Sequence, residues 1–401
     1  HTNSDDIYHG RCWYDQRLYT IFGAFMRILV AIDSLKGSLS SLEAGLAIKE
    51  ALEDFCDVVV KPVADGGEGS VEAMADALDA KFIDTIVKNP LGTEILARYA
   101  LKDDLAILEM SSASGLTLIN PDERNPMKTS TFGFGQMIKD AISKGARKFI
   151  IGIGGSATND AGTGMLSALG FKFYDKNGTL LEGKGEDLAQ ICEFSDEEAL
   201  KELKECEFLI ACDVDNPLYG QKGAAYVYAP QKGANGRMVK QLDDGLKHFA
   251  SLIKEKNGTK FHTQKGAGAA GGLGFAFVAF LGAKLKPGIE IITQTIALED
   301  EIKKADLVIT GEGRMDFQST MGKTPTGVAK LAKRHHKPVI ALAGSVQRCA
   351  KDCHKHGIDA YFCILNEPMS LEEAMRKDNA IRNLKMTAEQ VIRLYMLNHK
   401  A

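Results

Sequence analysis

The chain has 401 residues, 45% hydrophobic and 25% charged, with 49 Lys plus Arg against 53 Asp plus Glu for a formal net charge of -4. That length suits two domains, or one domain carrying a large insertion, and the ordinary apolar and charged fractions exclude a disordered chain. The near balance of charge leaves no polybasic footprint for nucleic acid or a membrane surface, while glycine, at 40 residues, stands well above its average of roughly 7%.

Residues 1–25 hold the single tryptophan, Trp13, and show neither strand alternation nor helix periodicity, so they read as an upstream or vector-derived leader. Asp5 and Asp6 stand where a signal peptide would carry its basic start. A repeating unit begins at Met26: a β-branched apolar run, a loop of Gly and acidic residues, then an amphipathic helix, the pattern of a mostly parallel α/β sheet. Residues 27–32 lead into Asp33-Ser34-Leu35-Lys36-Gly37-Ser38, and Ser40 with Glu43 forms a capping-box pattern for the helix that follows. Residues 57–61 lead into Asp65-Gly66-Gly67-Glu68-Gly69, and residues 148–153 into Gly154-Gly155-Ser156-Ala157-Thr158-Asn159-Asp160. Residues 171–174 and 179–181 flank Asn177-Gly178, which reads as a hairpin. The uncharged run 266–283 reaches the lower length for a membrane span, but its glycine-rich half reads as a loop feeding a buried helix. Residues 306–310 lead into Gly311-Glu312-Gly313-Arg314-Met315-Asp316, residues 338–343 into Gly344-Ser345, and the tail after Asn366 reads as terminal helices. A second, mixed-sheet α/β domain over 91–287 is therefore expected inside a parallel-sheet domain made of 26–90 and 288–401.

Eight cysteines are scattered along the chain, mostly in apolar runs, which fits reduced thiols in the cytoplasm. Cys349, Cys353, His354, His356 and Cys363 lack paired Cys-x-x-Cys knuckles and read as incidental helix-face residues rather than a zinc site.

In open parallel sheets, ligands bind beyond the carboxyl ends of the strands, where all of these loops fall. Gly152, Gly154, Gly155, Ser156 and Thr158, between a strand and a helix, can offer backbone N–H groups to an anion such as phosphate; the plainer reading is tight strand–helix packing. The same loop imitates a dinucleotide fingerprint, Gly152-x-Gly154-x-x-Ala157 with Asp175 beyond it, but the Asn177-Gly178 turn is not the crossover that fingerprint needs. Gly322-Lys323-Thr324 resembles the end of a Walker A loop, with Phe317 where its first glycine belongs. Asp33, Asp65, Glu68, Asp160, Asp213, Asp215, Glu312 and Asp316 all fall in such loops. Any one alone reads as a cap or turn residue, but together they suit chemistry that holds magnesium and deprotonates a hydroxyl.

These loops resemble the bacterial glycerate kinase family, type 1, unrelated to the animal class. The resemblance runs through Ala31-Ile32-Asp33-Ser34-Leu35-Lys36-Gly37-Ser38-Leu39-Ser40, Pro62-Val63-Ala64-Asp65-Gly66-Gly67-Glu68-Gly69, Gly152-Ile153-Gly154-Gly155-Ser156-Ala157-Thr158-Asn159-Asp160 and Ala211-Cys212-Asp213-Val214-Asp215-Asn216-Pro217-Leu218. It continues through Pro230-Gln231-Lys232-Gly233-Ala234, Gly266-Ala267-Gly268-Ala269-Ala270-Gly271-Gly272-Leu273-Gly274 and Ile309-Thr310-Gly311-Glu312-Gly313. It departs at Ile32 and Leu35, where the family usually has Pro and Phe. The resemblance implies two α/β domains, a discontinuous flavodoxin-like domain with the second inserted and the active site in the cleft between them. It also implies ATP-dependent phosphorylation of D-glycerate with Mg2+, leaning toward 2-phosphoglycerate. On that reading Lys36, with Asp33 and Ser38, takes the substrate's carboxylate and neighbouring oxygens, and Lys36 also counts among the catalytic residues. Asp65 and Glu68 hold magnesium or a glycerate hydroxyl, and the 152–158 loop with Glu312 takes the ATP. Asp160, Asp213 and Asp316 compete for metal binding and the general base, with Asp65 and Asp213 as the metal pair. The expected partners are D-glycerate and ATP, without nucleic acid or membrane, and homodimer formation is left open. Two other classes remain to be weighed: an NAD-dependent hydroxy-acid dehydrogenase and a non-catalytic sugar-acid-binding protein.

Overall fold

The structure, a computed structural model, describes residues 26–64, 69–316, 319 and 323–397. Its strands in chain order are β1 (Arg27–Val30), β2 (Asp57–Val60), β3 (Lys81–Lys88), β4 (Glu94–Lys102), β5 (Leu105–Glu109), β6 (Lys148–Gly152), β7 (Lys172–Tyr174), β8 (Glu193–Ser195), β9 (Glu207–Ala211), β10 (Lys284–Lys286), β11 (Leu307–Met315), β12 (Val339–Val346) and β13 (Ala360–Cys363). The chain is mixed α/β and divides into two compact units. One runs through Lys61 and resumes over Glu299–Met321 and from Val328 onward; the other takes Pro62–Leu298 and Gly322–Gly327.

The first unit carries a five-stranded, all-parallel sheet in the order β13-β12-β11-β1-β2. Counted from β2 within the unit, that is second, first, third, fourth, fifth, the flavodoxin-type order, whose reversal point lies between β1 and β11. Parallel sheets are covered on both faces, so their strands are nearly continuous apolar runs, and Ile28, Leu29, Val30, Val308 and Ile309 are all fully buried. The Ser41–Leu52 helix and the terminal Lys377–Leu397 helix pack on one another, burying Ile48, Leu52, Leu384 and Ile392. The expected capping box is present: Ser40 Oγ accepts from Glu43 N–H at 3.1 Å and Glu43 Oε2 accepts from Ser40 N–H at 3.0 Å.

The second unit holds a six-stranded mixed sheet, β10-β9-β6-β5-β4-β3, parallel from β10 to β5 and antiparallel through β4 and β3. Its largely aliphatic core also holds a set of packed aromatic rings; Phe149 and Phe208, on neighbouring strands, stack with centroids 4.8 Å apart. The Asn177-Gly178 turn closes as expected, with Leu181 N–H donating to Phe173 O at 2.9 Å, yet β7 takes its ladder partner from β8 instead. The Asp175 carboxylate accepts from Asn177 and Thr179 N–H, so local side-chain bonds hold the turn and the 179–181 arm contributes only a single bridge. The 266–283 run forms the Ala269–Leu281 helix, opened by left-handed Ala270, Gly271 and Gly272. Among the described residues no helix is long and apolar enough to cross a membrane. The expected leader, residues 1–25, lies outside the described residues.

Candidate active site

In the five-stranded unit, the chain leaves β1 through buried Ala31 and Ile32 and reaches Asp33, 5% exposed, whose N–H donates to Gly311 O at 3.0 Å. Asp33 Oδ1 accepts from Ser34 N–H at 2.7 Å. The next residues close a tight turn: Leu35 N–H donates to Leu39 O at 2.9 Å and Ser38 N–H to Leu35 O at 2.8 Å. Gly37, at φ +79°, supplies the left-handed corner, and the turn carries Lys36 into solvent. Ser38 Oγ is buried without a hydrogen-bond partner. On β11, Gly311 passes so close to β12 that a Cβ there would collide with Leu342 O. Glu312 follows it, and the strand runs on to Asp316, whose N–H donates to Ser319 Oγ at 3.0 Å and whose carboxylate lies 3.6 Å from the Arg314 guanidinium. The fold thus gathers Asp33, Lys36, Ser38, Glu312 and Asp316 at the carboxyl ends of β1 and β11, where the strand order reverses.

Asp65 and Glu68 lie outside the described residues. The Ser70–Leu78 helix that follows them is anchored by Glu109, at the end of β5, whose carboxylate accepts from Ser70 N–H at 2.9 Å and Val71 N–H at 3.2 Å. A buried carboxylate on a helix N-terminus satisfies otherwise orphaned donors and the positive end of the helix dipole. Glu109 is a positioning residue that the sequence reading missed, because nothing in Leu105–Glu109 separates it from any strand-end acid.

In the six-stranded unit, β6 ends at Gly152 and Gly154 and Gly155 emerge into solvent. The chain then dives inward: Ala157 N–H donates to Ser114 O at 2.9 Å and Ala157 O accepts from Thr129 Oγ1 at 3.0 Å. Gly154, Gly155, Ser156, Asp213, Lys232 and Ala270 are among the residues lining a cavity of about 460 Å3. Thr158 is fully buried, as is Asn159, both of whose side-chain polar atoms lack a partner. Gly271, at φ +68°, lies against this loop; any Cβ there would strike Thr158 O, and Gly271 O accepts from Ala161 N–H at 3.0 Å.

Asp160 lies beneath the same loop. Expected among the residues that bind metal or take a proton, it has no exposure, and its carboxylate accepts from Thr131 N–H and Oγ1, both at 2.7 Å, Gly162 N–H at 3.2 Å and Gly164 N–H at 3.3 Å. Burial pushes its carboxyl upward while those donors hold it down. It anchors the loop from inside. Asp213, by contrast, is exposed at the cavity's rim, with Oδ1 accepting from Gly288 N–H at 3.0 Å. Asp215 turns outward to Lys265 at 2.7 Å.

The second residue that the sequence reading missed is Lys232, in the Pro230-Gln231-Lys232-Gly233-Ala234 stretch. It is 2% exposed, and its ammonium donates to Ser156 Oγ at 2.7 Å and Thr158 O at 2.6 Å. Burial pushes the thiol of Cys212, which lines the same cavity, up to about 11, so little thiolate forms near neutral pH. Among the described residues, no three His, Cys, Asp or Glu gather into a metal-holding group.

The family model described as the glycerate kinase family matches residues 28–396. The chain belongs to that family. Among the glycerate kinases it resembles, the glycerate 2-kinase of Escherichia coli K12 is 45% identical over 372 residues, 90% of this chain and 98% of the relative. The glycerate kinase of Bacillus subtilis 168 is 43% identical over 371 residues, 91% and 97% of the two chains. A crystal structure from Salmonella typhimurium LT2, described as a candidate glycerate kinase 2, superposes with a TM-score of 0.87 at 42% identity, covering 94% of this chain and all of that one. The glycerate kinase family match thus spans both units.

Proposed function

We propose that this protein is a glycerate kinase that moves the γ-phosphoryl group of ATP to the 2-hydroxyl of D-glycerate. The acceptor oxygen forms a bond to phosphorus, the bond from phosphorus to the β,γ-bridging oxygen breaks, and the hydroxyl proton passes to a carboxylate. Membership of the glycerate kinase family supports a phosphotransferase with an alcohol acceptor. The observation that carries the reading is the 152–158 loop: exposed backbone at Gly154 and Gly155, over a cavity, with a buried lysine beneath Ser156. Such a cradle suits a polyphosphate.

Lys36, on its exposed turn, supplies the cation for the acid's carboxylate, with Asp33 and Ser38 for its hydroxyls. Asp316 and Asp213 are the two carboxylates retained for proton transfer. Asp213 also fits magnesium, a cation that takes oxygen ligands, because it is an exposed carboxylate at the cavity rim. When bound, magnesium supplies positive charge against the phosphate oxygens. The free cysteines among the described residues support a reducing, cytoplasmic setting.

A phosphorus NMR time course with ATP, magnesium and D-glycerate tests this. The expected result is ADP and one phosphomonoester signal split into a doublet by the single hydrogen on C2. A triplet, from the two hydrogens on C3, would move the product to 3-phosphoglycerate; no ATP loss above a glycerate-free control would overturn the kinase.

A further inference from the structure

Lysine is almost never fully buried unless it is paired, yet Lys232 sits 2% exposed beneath the loop just described. Its two acceptors differ in kind. Thr158 O can only accept, whereas Ser156 Oγ can accept or donate. Beside an ammonium, the Ser156 oxygen accepts and keeps its own hydrogen for another acceptor. Beside a neutral amine, the same hydroxyl gives that hydrogen to the nitrogen lone pair. Ser156 and Lys232 both line the cavity with Gly154 and Gly155.

We propose that Lys232 is a positioning residue for the phosphate loop: its ammonium, held by Ser156 Oγ and Thr158 O, turns the Ser156 hydroxyl hydrogen toward the cavity, where it donates to an anion. Loss of the lysine's proton turns the hydroxyl inward and weakens the cradle. The inference rests on the reading of the 152–158 loop as the seat of the nucleotide phosphates.

Burial, partly opposed by the neighbouring Asp160 carboxylate, pushes the Lys232 ammonium down to about 7. The other ionisable groups of the cavity are Cys212, Asp213 and Tyr228, and Arg124 lies on the segment packed against Gly233. Burial pushes both the Cys212 thiol and the Tyr228 phenol upward, away from neutral pH. The charge of Lys232 is therefore largely present below about pH 7 and progressively lost above it, and a bound anion, by favouring the charged form, makes binding take up a proton on the alkaline side.

Calorimetry of MgATP binding to the full chain, in buffers of differing ionisation enthalpy, reads this directly. From about pH 6.5 to about pH 8.5 the affinity should fall about tenfold, with up to about one proton taken up per nucleotide at the higher pH. Lys232→Met should bind weakly at both values without proton uptake, raising KM for ATP more than it lowers kcat. Ser156→Ala, which keeps the lysine, should flatten the pH profile, and it decides the matter should Lys232→Met fail to fold. A wild-type affinity indifferent to pH, or a Ser156→Ala profile as steep as wild type, overturns the inference. Amide exchange at residues 154–158 separates the two failures. Protection by MgATP without proton uptake overturns only the role of Lys232, whereas no protection overturns the nucleotide reading of the loop.

Discussion

Beyond β1 and β11 the chain presents charge on side chains that reach outward, Lys36 on an exposed turn and Asp316 beside Arg314. Beyond β6 it presents bare backbone and keeps its charges, Asp160 and Lys232, underneath. Both are strand-end loops of glycines and polar residues, and in sequence they look alike. The difference is where the desolvation cost falls. An exposed charge costs the fold little and stays within reach of a ligand, whereas a buried charge must be satisfied before anything binds, so it sets the geometry of the loop above it. Replacing an outward charge should therefore act directly on binding or rate, and replacing an inward one should act through the loop it holds and, where it serves several buried donors, on the fold.

Asp160→Ala tests the inward side and carries the largest expected effect. It strips an acceptor from Thr131, Gly162 and Gly164 at once and removes the carboxylate neighbouring Lys232. Leaving such groups buried and unpaired costs about 3–5 kcal/mol. The expected outcome is a large fall in thermal midpoint, with activity lost along with the folded protein. A variant that melts like wild type yet has lost turnover would return Asp160 to the catalytic residues and dissolve the contrast.

Asp213 belongs to the outward class although it shares a cavity with Lys232. Asp213→Asn keeps an oxygen for Gly288 N–H and so should leave the melting curve nearly unchanged, while kcat falls by about 10² or more, the ordinary contribution of a positioned acid or base. A coupled ADP-release assay beside a thermal melt checks both halves. Unchanged turnover would leave Asp316 as the remaining carboxylate.

Lys36→Ala should be milder. The turn that carries Lys36 is closed by backbone bonds between Leu35 and Leu39, so the fold keeps its shape without the side chain. KM for glycerate should rise about tenfold, the worth of one charge-assisted contact, with kcat little altered. A steady-state titration of glycerate that leaves KM where it was would take the substrate's carboxylate away from this turn.

The parallel sheet was legible because buried strands announce themselves as apolar runs, as at Arg27–Val30, and the Ser40 cap because its partner lies three residues away. What escaped was a matter of distance and direction. Lys232 meets Ser156 across 76 positions of chain and sits in the short Pro230–Lys232 turn, where a lysine looks like any solvated one. Asp160 was legible as an acid after a strand, but nothing local says whether such an acid points at solvent or at the four donors it serves. β7 pairs with β8 instead of its nearer neighbour because packing outside the turn selects the partner, which strand propensity does not encode.

The smallest expected effect asks whether the outward turn is independent of the helix behind it. Ser40→Ala removes the acceptor for Glu43 N–H, and a lost N-cap of this kind costs about 1 kcal/mol. Glu43 keeps its ion pair with Lys377 on the terminal helix, the main reason its carboxyl is held below the usual range, so the helix start frays without detaching. A thermal melt should register a fall of a few degrees at most. KM for glycerate should stay put, because the bonds that present Lys36 are made within the turn, between Leu35, Ser38 and Leu39, before the helix begins. If KM instead rises as far as in Lys36→Ala, the cap and the turn act as one device, and the loop after β1 is held by what lies behind it just as the loop after β6 is.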